Sequence, residues 1–193
     1  PRHNDLTQLE RLLEEHHTVH HRVIIVTESI FSMDGDQADL QKLTELKRKY
    51  DNVLLYVDEA HAFGVRGRQG LGCAEEFHCI HDIDFLVGTF GKAAASVGAY
   101  IVCKKVIREY LVNRMRTLIF TTGLPPVNIA WTLFIVRRLA DMQERRKHLA
   151  HISRTLREAL QVRGYTCPSV SHIVPMIIGP SADTVLQAEA LQR

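Results

Sequence analysis

Apolar residues along the first hundred positions follow two alternating patterns. Continuous apolar runs of strand length predict four buried strands, over residues 22–27, 53–57, 83–87 and 98–103. Leucines at helical spacing predict helices over residues 5–17 and 38–50, one before each of the first two strands. Helices that alternate with buried strands indicate an α/β fold with a sheet covered by helices.

The pattern becomes mostly helical after residue 103. Helical spacing predicts three further helices, over residues 104–116, 127–163 and 181–193. The pair Pro125-Pro126 separates the first two of these helices, because proline interrupts helical hydrogen bonding. Two short strands are predicted before the last helix, near residues 165–167 and 173–178.

These patterns predict two domains. Residues 1–125 form part of a large α/β domain, and residues 126–193 form a linking helix and the start of a smaller α+β domain. The first predicted helix begins at residue 5 and a buried strand follows directly, and no strand is predicted after the last helix. We therefore expect the chain to be a fragment of a longer protein.

Composition and charge exclude several classes of function. The chain has 24 basic and 22 acidic residues, a formal net charge of +2, so nucleic-acid binding has no electrostatic support. The sequence contains no apolar run of about eighteen residues, so no membrane span is predicted, and the N-terminus lacks a signal-peptide pattern. The four cysteines form no C-x-x-C pair, so zinc and disulfides are not expected and a reducing cytoplasm fits best.

Polar side chains follow three of the predicted strands. They are Glu28 and Ser32 after the first strand, Asp58, Glu59 and His61 after the second, and Thr89 and Lys92 after the third. Ligands of open α/β sheets bind at the carboxyl ends of the strands, so these residues are candidates for a site. Any one set alone is typical of an ordinary loop.

Asp58 and Lys92 allow two interpretations. A carboxylate at the end of a buried strand needs a cationic or hydrogen-bonding partner, and a structural salt bridge to Lys92 would provide one. Alternatively, the lysine amine forms a Schiff base with pyridoxal phosphate (PLP), and the carboxylate holds the pyridine nitrogen. The turn over residues 88–92 then offers a hydroxyl and backbone N–H groups to the phosphate.

Four ordered segments resemble the α-oxoamine synthase family. They are TESIFSMDGD (27–36), DEAHAFGVRGRQGLG (58–72), GTFGK (88–92) and NRMRTLIFTTGLPP (113–126). These enzymes join an amino acid to an acyl thioester with loss of carbon dioxide, using PLP. The resemblance implies the large domain of a fold-type-I PLP-dependent transferase, with a mainly parallel sheet and helices on both faces.

The resemblance also implies roles for the residues after the second and third strands. Lys92 matches the Schiff-base lysine, and Asp58 matches the residue bonded to the pyridine nitrogen. His61 matches the histidine that hydrogen-bonds the phenolic oxygen of PLP, and Thr89 matches the hydroxyl that binds its phosphate. Lys92, Asp58 and His61 are therefore the expected catalytic residues.

Four further residues match motif positions around the cofactor. Ser32 matches a serine that contacts PLP, and Glu28 begins the same motif. Thr121 and Thr122 fall where the family sends a hydroxyl across a dimer interface towards the partner's phosphate. The resemblance therefore implies a homodimer with a shared active site.

The motifs leave the substrates open. The forms FTTGLPP and DEAHAFG favour the branch of the family that uses L-alanine and a pimeloyl thioester. Branches that use glycine with acetyl-CoA, or serine with a long acyl-CoA, share most of the motifs, and a non-catalytic scaffold is the alternative from another class. Family members run to about twice this length, so we expect the chain alone to be inactive.

One departure from the family pattern concerns a single residue. Ala95 stands where the family commonly has a glycine, so the backbone there is expected to differ slightly. The ten histidines other than His61 have no spacing that suggests metal ligation, and we interpret them as surface or incidental residues.

Overall fold

The computed structural model describes residues 1–192 and contains one four-stranded sheet with helices. The strands are β1 (Val23–Glu28), β2 (Val53–Asp58), β3 (Phe85–Thr89) and β4 (Ala99–Cys103). The helices are α1 (Leu6–His16), α2 (Leu40–Arg48), α3 (Cys73–Glu76), α4 (Lys105–Arg114), α5 (Arg116–Ile119), α6 (Pro126–Arg138), α7 (Gln143–Val162) and α8 (Ser181–Leu191). The predicted α/β fold and the four strands of its first hundred residues are confirmed.

The sheet has the order β1-β2-β3-β4. The first three strands are parallel, and β4 returns antiparallel to β3. Glu28 pairs with Asp58, and Asp58 pairs with Val87, so the ends of the parallel strands lie at one edge of the sheet. Paired residues point to the same face, and this register therefore directs the side chains of Glu28 and Asp58 the same way.

The main core lies on one face of the sheet, beneath α1 and α2. Its fully buried strand residues include Val53, Leu55 and Val57 of β2, which alternate with half-buried residues as a covered sheet face requires. Asp5 and Asp39 begin the two helices, since each carboxylate accepts a hydrogen bond from a backbone N–H three residues later.

The opposite face of the sheet carries exposed apolar residues. Val26 is 69% exposed and Ile24 is 52% exposed, and Ile101 on β4 is 42% exposed. Further apolar exposure lies on α5 and α6, where Phe120 and Trp131 are among the exposed large side chains. In the part of the chain that the structure describes, no helix is both long and apolar enough to cross a membrane.

The predicted single helix over 127–163 is wrong. A 3₁₀ turn at Leu139–Met142 separates α6 from α7. The physical reason is that Leu139 is buried against Phe63 and Ala94 instead of continuing along a helix surface. Arg146 stabilises the break, because its Nη1 donates to the carbonyl oxygen of Leu139 at 2.6 Å.

The predicted strands near 165–167 and 173–178 are also wrong, because both stretches of the described chain are irregular. Serine side chains, rather than a neighbouring strand, take the backbone N–H groups here. Ser171 N–H donates to Ser169 Oγ at 3.1 Å, and Ile173 N–H donates to Ser171 Oγ at 3.2 Å. The segment packs on Gly35, since the N–H of Val170 donates to the Gly35 oxygen at 3.2 Å.

Candidate active site

The candidate site lies where the three parallel strands end. Glu28 ends β1, Asp58 ends β2 and Thr89 ends β3, so the strand-end sets expected from the sequence lie at one edge. His61 follows in the turn after β2, and Lys92 follows in the turn after β3. The parallel register, rather than sequence proximity, brings these residues together.

His61 and Lys92 line one cavity of about 410 Å³. The other lining residues are Ala60, Phe63, Val65, Ala93 and His172. Lys92 is exposed and His61 is half-buried. The amine is therefore accessible from solution at the same cavity that the imidazole borders.

An aromatic cluster holds the two turns against each other. Phe63 lies two residues after His61, and Phe90 lies two residues before Lys92. Both rings pack on Tyr100 of β4, with ring centroids 5.2 and 5.3 Å apart respectively. Such contacts are specific in geometry and stabilise the positions of the turns that carry the polar residues.

Helix α6 supports the turn after Lys92 from the other side. The indole Nε1 of Trp131 donates to the carbonyl oxygen of Ala94 at 3.0 Å. The hydroxyl of Thr132 donates to Ser96 Oγ at 2.9 Å. The position of Lys92 therefore depends on side chains about forty residues further along the chain.

The charges around His61 are mixed. Burial lowers the pKa of His61 most, and the nearby positive charge of Lys92 lowers it further. The carboxylates of Glu28 and Asp58 oppose this shift of the pKa, but burial and Lys92 prevail. At neutral pH the imidazole is therefore uncharged, with one nitrogen a donor and the other an acceptor.

Asp58 keeps one oxygen available. Its Oδ1 accepts a hydrogen bond from the N–H of Ala60 at 2.7 Å. Among the described residues, Oδ2 accepts no hydrogen bond, and the Lys92 amine has no ion-pair partner. The salt bridge between Asp58 and Lys92 that the sequence left open is therefore not formed, because neither lies within 4.0 Å of the other's charged group.

The turn over residues 88–92, which was predicted to bind the phosphate, already uses several of its hydrogen-bond donors within the protein. Phe90 N–H donates to the Gly98 oxygen at 3.0 Å, and Gly91 N–H donates to Thr89 Oγ1 at 3.2 Å. The Thr89 hydroxyl itself donates to the Gly98 oxygen at 3.1 Å. These bonds arise because the turn folds back into β4, so an anion would have to compete for the donors.

Glu59 has a structural role that the sequence did not reveal. It is fully buried, and its carboxylate accepts from Ser29 Oγ at 2.6 Å and from the N–H groups of Cys73 and Ala74 at 3.0 and 2.6 Å. Burial raises the pKa of Glu59, although these hydrogen bonds oppose that shift of the pKa. Through these hydrogen bonds Glu59 connects Ser29, directly after β1, to the first residues of α3.

His172 is the residue at the site that sequence reasoning missed. It was expected to be incidental, but it lines the cavity of His61 and Lys92. Burial lowers the pKa of His172, and the charges of His61 and Arg66 lower it further. The packing of its segment on Gly35, more than 130 residues earlier, helps to place it here, and no local motif signals such a contact.

Of the eight predicted site residues, two line the cavity, His61 and Lys92. Glu28, Asp58 and Thr89 lie at the strand ends but are not lining residues, and the other three lie elsewhere. Ser32 is exposed in the turn after β1 and does not line the cavity. Thr121 and Thr122 are exposed beyond α5, where the Thr121 hydroxyl lies 3.5 Å from the Thr122 oxygen. Their roles towards a cofactor stay predictions.

Comparison with known proteins identifies the family. The model of the aminotransferase class I and II family matches residues 1–193, the whole chain. The chain belongs to this family. Its members and its solved neighbours that hold PLP confirm the expected cofactor, PLP.

Relatives within this family confirm the resemblance to α-oxoamine synthases. The 8-amino-7-oxononanoate synthase of Haemophilus ducreyi is 52% identical over 195 residues, with 99% of this chain and 50% of the relative covered. A structure of serine palmitoyltransferase from S. paucimobilis with PLP and myriocin bound has a TM-score of 0.85 at 27% identity, covering 96% of this chain and 50% of that one.

A second solved structure gives the same picture. The 8-amino-7-oxononanoate synthase of Francisella tularensis has a TM-score of 0.81 at 27% identity, covering 98% of this chain and 55% of that one. The chain spans about half the length of the curated relatives it matches. The match confirms the PLP-transferase fold of the described part.

The residues present fit PLP as a ligand. The cavity offers an amine at Lys92 for the aldehyde and an uncharged imidazole at His61 as an N–H donor. Asp58 is not a lining residue, but it ends β2 two residues before Ala60 of the lining, and its available Oδ2 can accept from a protonated ring nitrogen. An amine, a neutral donor and an anionic acceptor at neighbouring positions form a donor set that matches the polar groups of PLP.

Proposed function

We propose that this chain contributes the cofactor-binding residues of a PLP-dependent acyltransferase. The enzyme condenses L-alanine with a pimeloyl thioester of CoA or a carrier protein. The products are 8-amino-7-oxononanoate, carbon dioxide and the free thiol, as in biotin synthesis. The observation that carries the proposal is the cavity that His61 and Lys92 share at the strand ends of Glu28 and Asp58.

PLP, when bound, supplies a conjugated ring that accepts the electron pair of a carbanion. Asp58 keeps the ring nitrogen protonated through its negative charge, which maintains that capacity. Lys92 holds the cofactor through its amine and, once released, moves the α-proton of the amino acid as a base. His61 donates a hydrogen bond to the phenolic oxygen through its one ring N–H, and its lowered pKa leaves the other ring nitrogen as an acceptor.

The remaining matched residues complete the proposed binding site. Thr89 binds the phosphate by turning its hydroxyl proton away from the Gly98 oxygen. Ser32 and Glu28 contact the cofactor from the end of β1. Thr121 and Thr122 serve the site of a second subunit in a homodimer, which is consistent with the exposed apolar surface of α5 and α6 next to them.

The names of the relatives favour pimeloyl chemistry over the other branches. The curated relatives that are more than half identical carry the name 8-amino-7-oxononanoate synthase. The solved structures of the two branches do not separate them, since both are near 30% identical. The domain division stays a proposal of its own. We place it between residues 125 and 126, because helix α6 begins at Pro126.

A product assay tests the proposed function. A protein that contains this chain in full is incubated with PLP, alanine and pimeloyl-CoA, and 8-amino-7-oxononanoate is measured. Glycine with acetyl-CoA and serine with palmitoyl-CoA form parallel arms. We expect product in the first arm, and product in either of the other arms alone would contradict the substrate assignment.

The same assay with residues 1–193 alone tests whether the site is complete. We propose that this chain alone forms no product, since it spans about half the length of its relatives. Measurable product from residues 1–193 would show that the described strand ends and loops are sufficient for the reaction.

A further inference from the structure

A second cavity, of about 320 Å³, lies beside the candidate site and is lined by arginines. Val65 and His172 line both cavities. The charged lining residues of the second cavity are Arg66, Glu76, Arg146, Arg154 and Arg157. Four guanidinium groups therefore face one space with a single carboxylate among the described lining residues.

That carboxylate is already paired. Arg66 Nε and Nη2 donate to the two oxygens of Glu76, each at 2.7 Å. This bidentate pair neutralises both groups and lowers the pKa of Glu76. The three arginines of α7 are therefore left with a net charge of about +3 at the cavity.

Arg146 is the most unusual of these groups. It is 8% exposed, and its Nη1 and Nη2 donate to the carbonyl oxygens of Leu139 and Arg68. Its Nε is buried and has no hydrogen-bond partner among the described residues, and no carboxylate of this part of the chain lies within 4.0 Å of it. A buried guanidinium stays charged, so a missing counter-charge costs free energy.

His172 also lines this cavity and carries a second buried, unpartnered polar atom. Its Nδ1 is buried and has no hydrogen-bond partner within residues 1–192. The other two arginines of α7 at the cavity are held to different degrees. Arg157 Nη1 donates to the Ser171 oxygen, whereas the Arg154 side chain is 63% exposed. Arg154 lies 4.0 Å from Glu158, a distance too long for a strong pair.

We propose that this cavity binds a phosphate group, held by the guanidinium groups of Arg146, Arg154 and Arg157. A phosphate has several acceptor oxygens and up to two negative charges, so it supplies the counter-charge that Arg146 lacks and acceptors for the guanidinium groups that reach the cavity. The cavity volume is at the lower end for ligand sites, which suits a small group. This inference does not rest on the proposed function.

The test measures phosphate binding without turnover. The purified protein is titrated with inorganic phosphate at constant ionic strength by calorimetry, and the NMR signals of His172 are followed in parallel. We expect saturable binding and a shift of the His172 signals. Absence of saturable binding would overturn the proposal, whatever the outcome of the product assay.

Matched variants on α7 locate the bound anion. Arg154→Gln should weaken phosphate binding about fivefold, because one charge-assisted contact is removed. Arg145→Gln changes an exposed arginine of the same helix that does not line the cavity, and it should leave binding unchanged. Equal weakening by both variants would overturn the assignment, since it would indicate a diffuse surface effect.

The source of the phosphate group is resolved by competition. Coenzyme A, which carries phosphate groups on a larger molecule, is added to the phosphate-bound protein. If coenzyme A displaces phosphate, and Arg154→Gln weakens coenzyme A binding more than Arg145→Gln does, the cavity is assigned to a phosphorylated ligand. Retention of inorganic phosphate assigns it to the free anion.

Discussion

At the scale of single residues, the charge of Lys92 and the protonation of His61 are coupled. Lys92 lowers the pKa of His61, second only to burial. We expect Lys92→Ala to raise the pKa of His61, because the repulsive positive charge is removed. An NMR pH titration of the His61 ring measures this, and Lys104→Ala, an exposed lysine after β4, should leave that pKa unchanged. An unmoved pKa in Lys92→Ala would place the amine away from the imidazole.

Asp58 is expected to separate cofactor binding from turnover. Asp58→Asn should retain some PLP, because Lys92 remains, but should lose turnover by about 10²-fold or more, since an amide cannot stabilise a protonated ring nitrogen. Absorbance of bound PLP and product formation measure the two effects separately. Asp51→Asn, an exposed change before β2, is the control. Near-normal turnover of Asp58→Asn would make Asp58 a structural residue.

Ala95 is strained where the family commonly has glycine. Its φ is +47°, in the left-handed region that disfavours a Cβ. Ala95→Gly should therefore raise the free energy of unfolding by roughly 0.5–1 kcal/mol. Urea unfolding measures this, and Ala93→Gly, at ordinary φ in the same turn, should lower stability instead. Lower stability of Ala95→Gly would show that another contact depends on this methyl group.

At the scale of elements, Gly35 connects the turn after β1 to the segment that carries His172. Its φ is +67°, and an added Cβ would lie 2.4 Å from the Ile173 oxygen. Gly35→Ala should lower the free energy of unfolding by about 1–3 kcal/mol and loosen residues 169–173. Urea unfolding and proteolysis within that segment measure both effects.

Gly123→Ala is the matched control, because no atom lies within 4 Å of a Cβ there. It should change the free energy of unfolding by less than about 0.5 kcal/mol. If the two alanine variants were equally stable, the contact between Gly35 and Ile173 would have no energetic weight.

The elements predicted correctly from the sequence depend on local patterns. The runs VLLYV and RVIIVT predict β2 and β1 to within one residue at each end, because continuous apolar runs of this length are typical of parallel strands. The missed helix α3 depends on a distant partner, since the Glu59 carboxylate accepts from its first N–H groups. The break at Leu139 likewise depends on Phe63, more than seventy residues earlier.

At the scale of the whole molecule, the site combines predictable and unpredictable parts. The carboxyl ends of parallel strands lie at one edge of the sheet. It is therefore predictable from the sequence that Asp58 lies near the turn that carries Lys92. His172 arrives through a tertiary contact that has no local signal. The exposed faces of β1 and α6 leave apolar surface.

The central claim is that Lys92 is the amine that attaches PLP. A protein that contains this chain in full is loaded with PLP, reduced with borohydride, digested and mapped by mass spectrometry. Among the lysines of residues 1–192, only Lys92 combines an accessible amine with the cavity of His61, so we predict the pyridoxyl group on the peptide that contains Lys92. A pyridoxyl group on Lys104 or Lys105 with Lys92 unmodified would contradict the account.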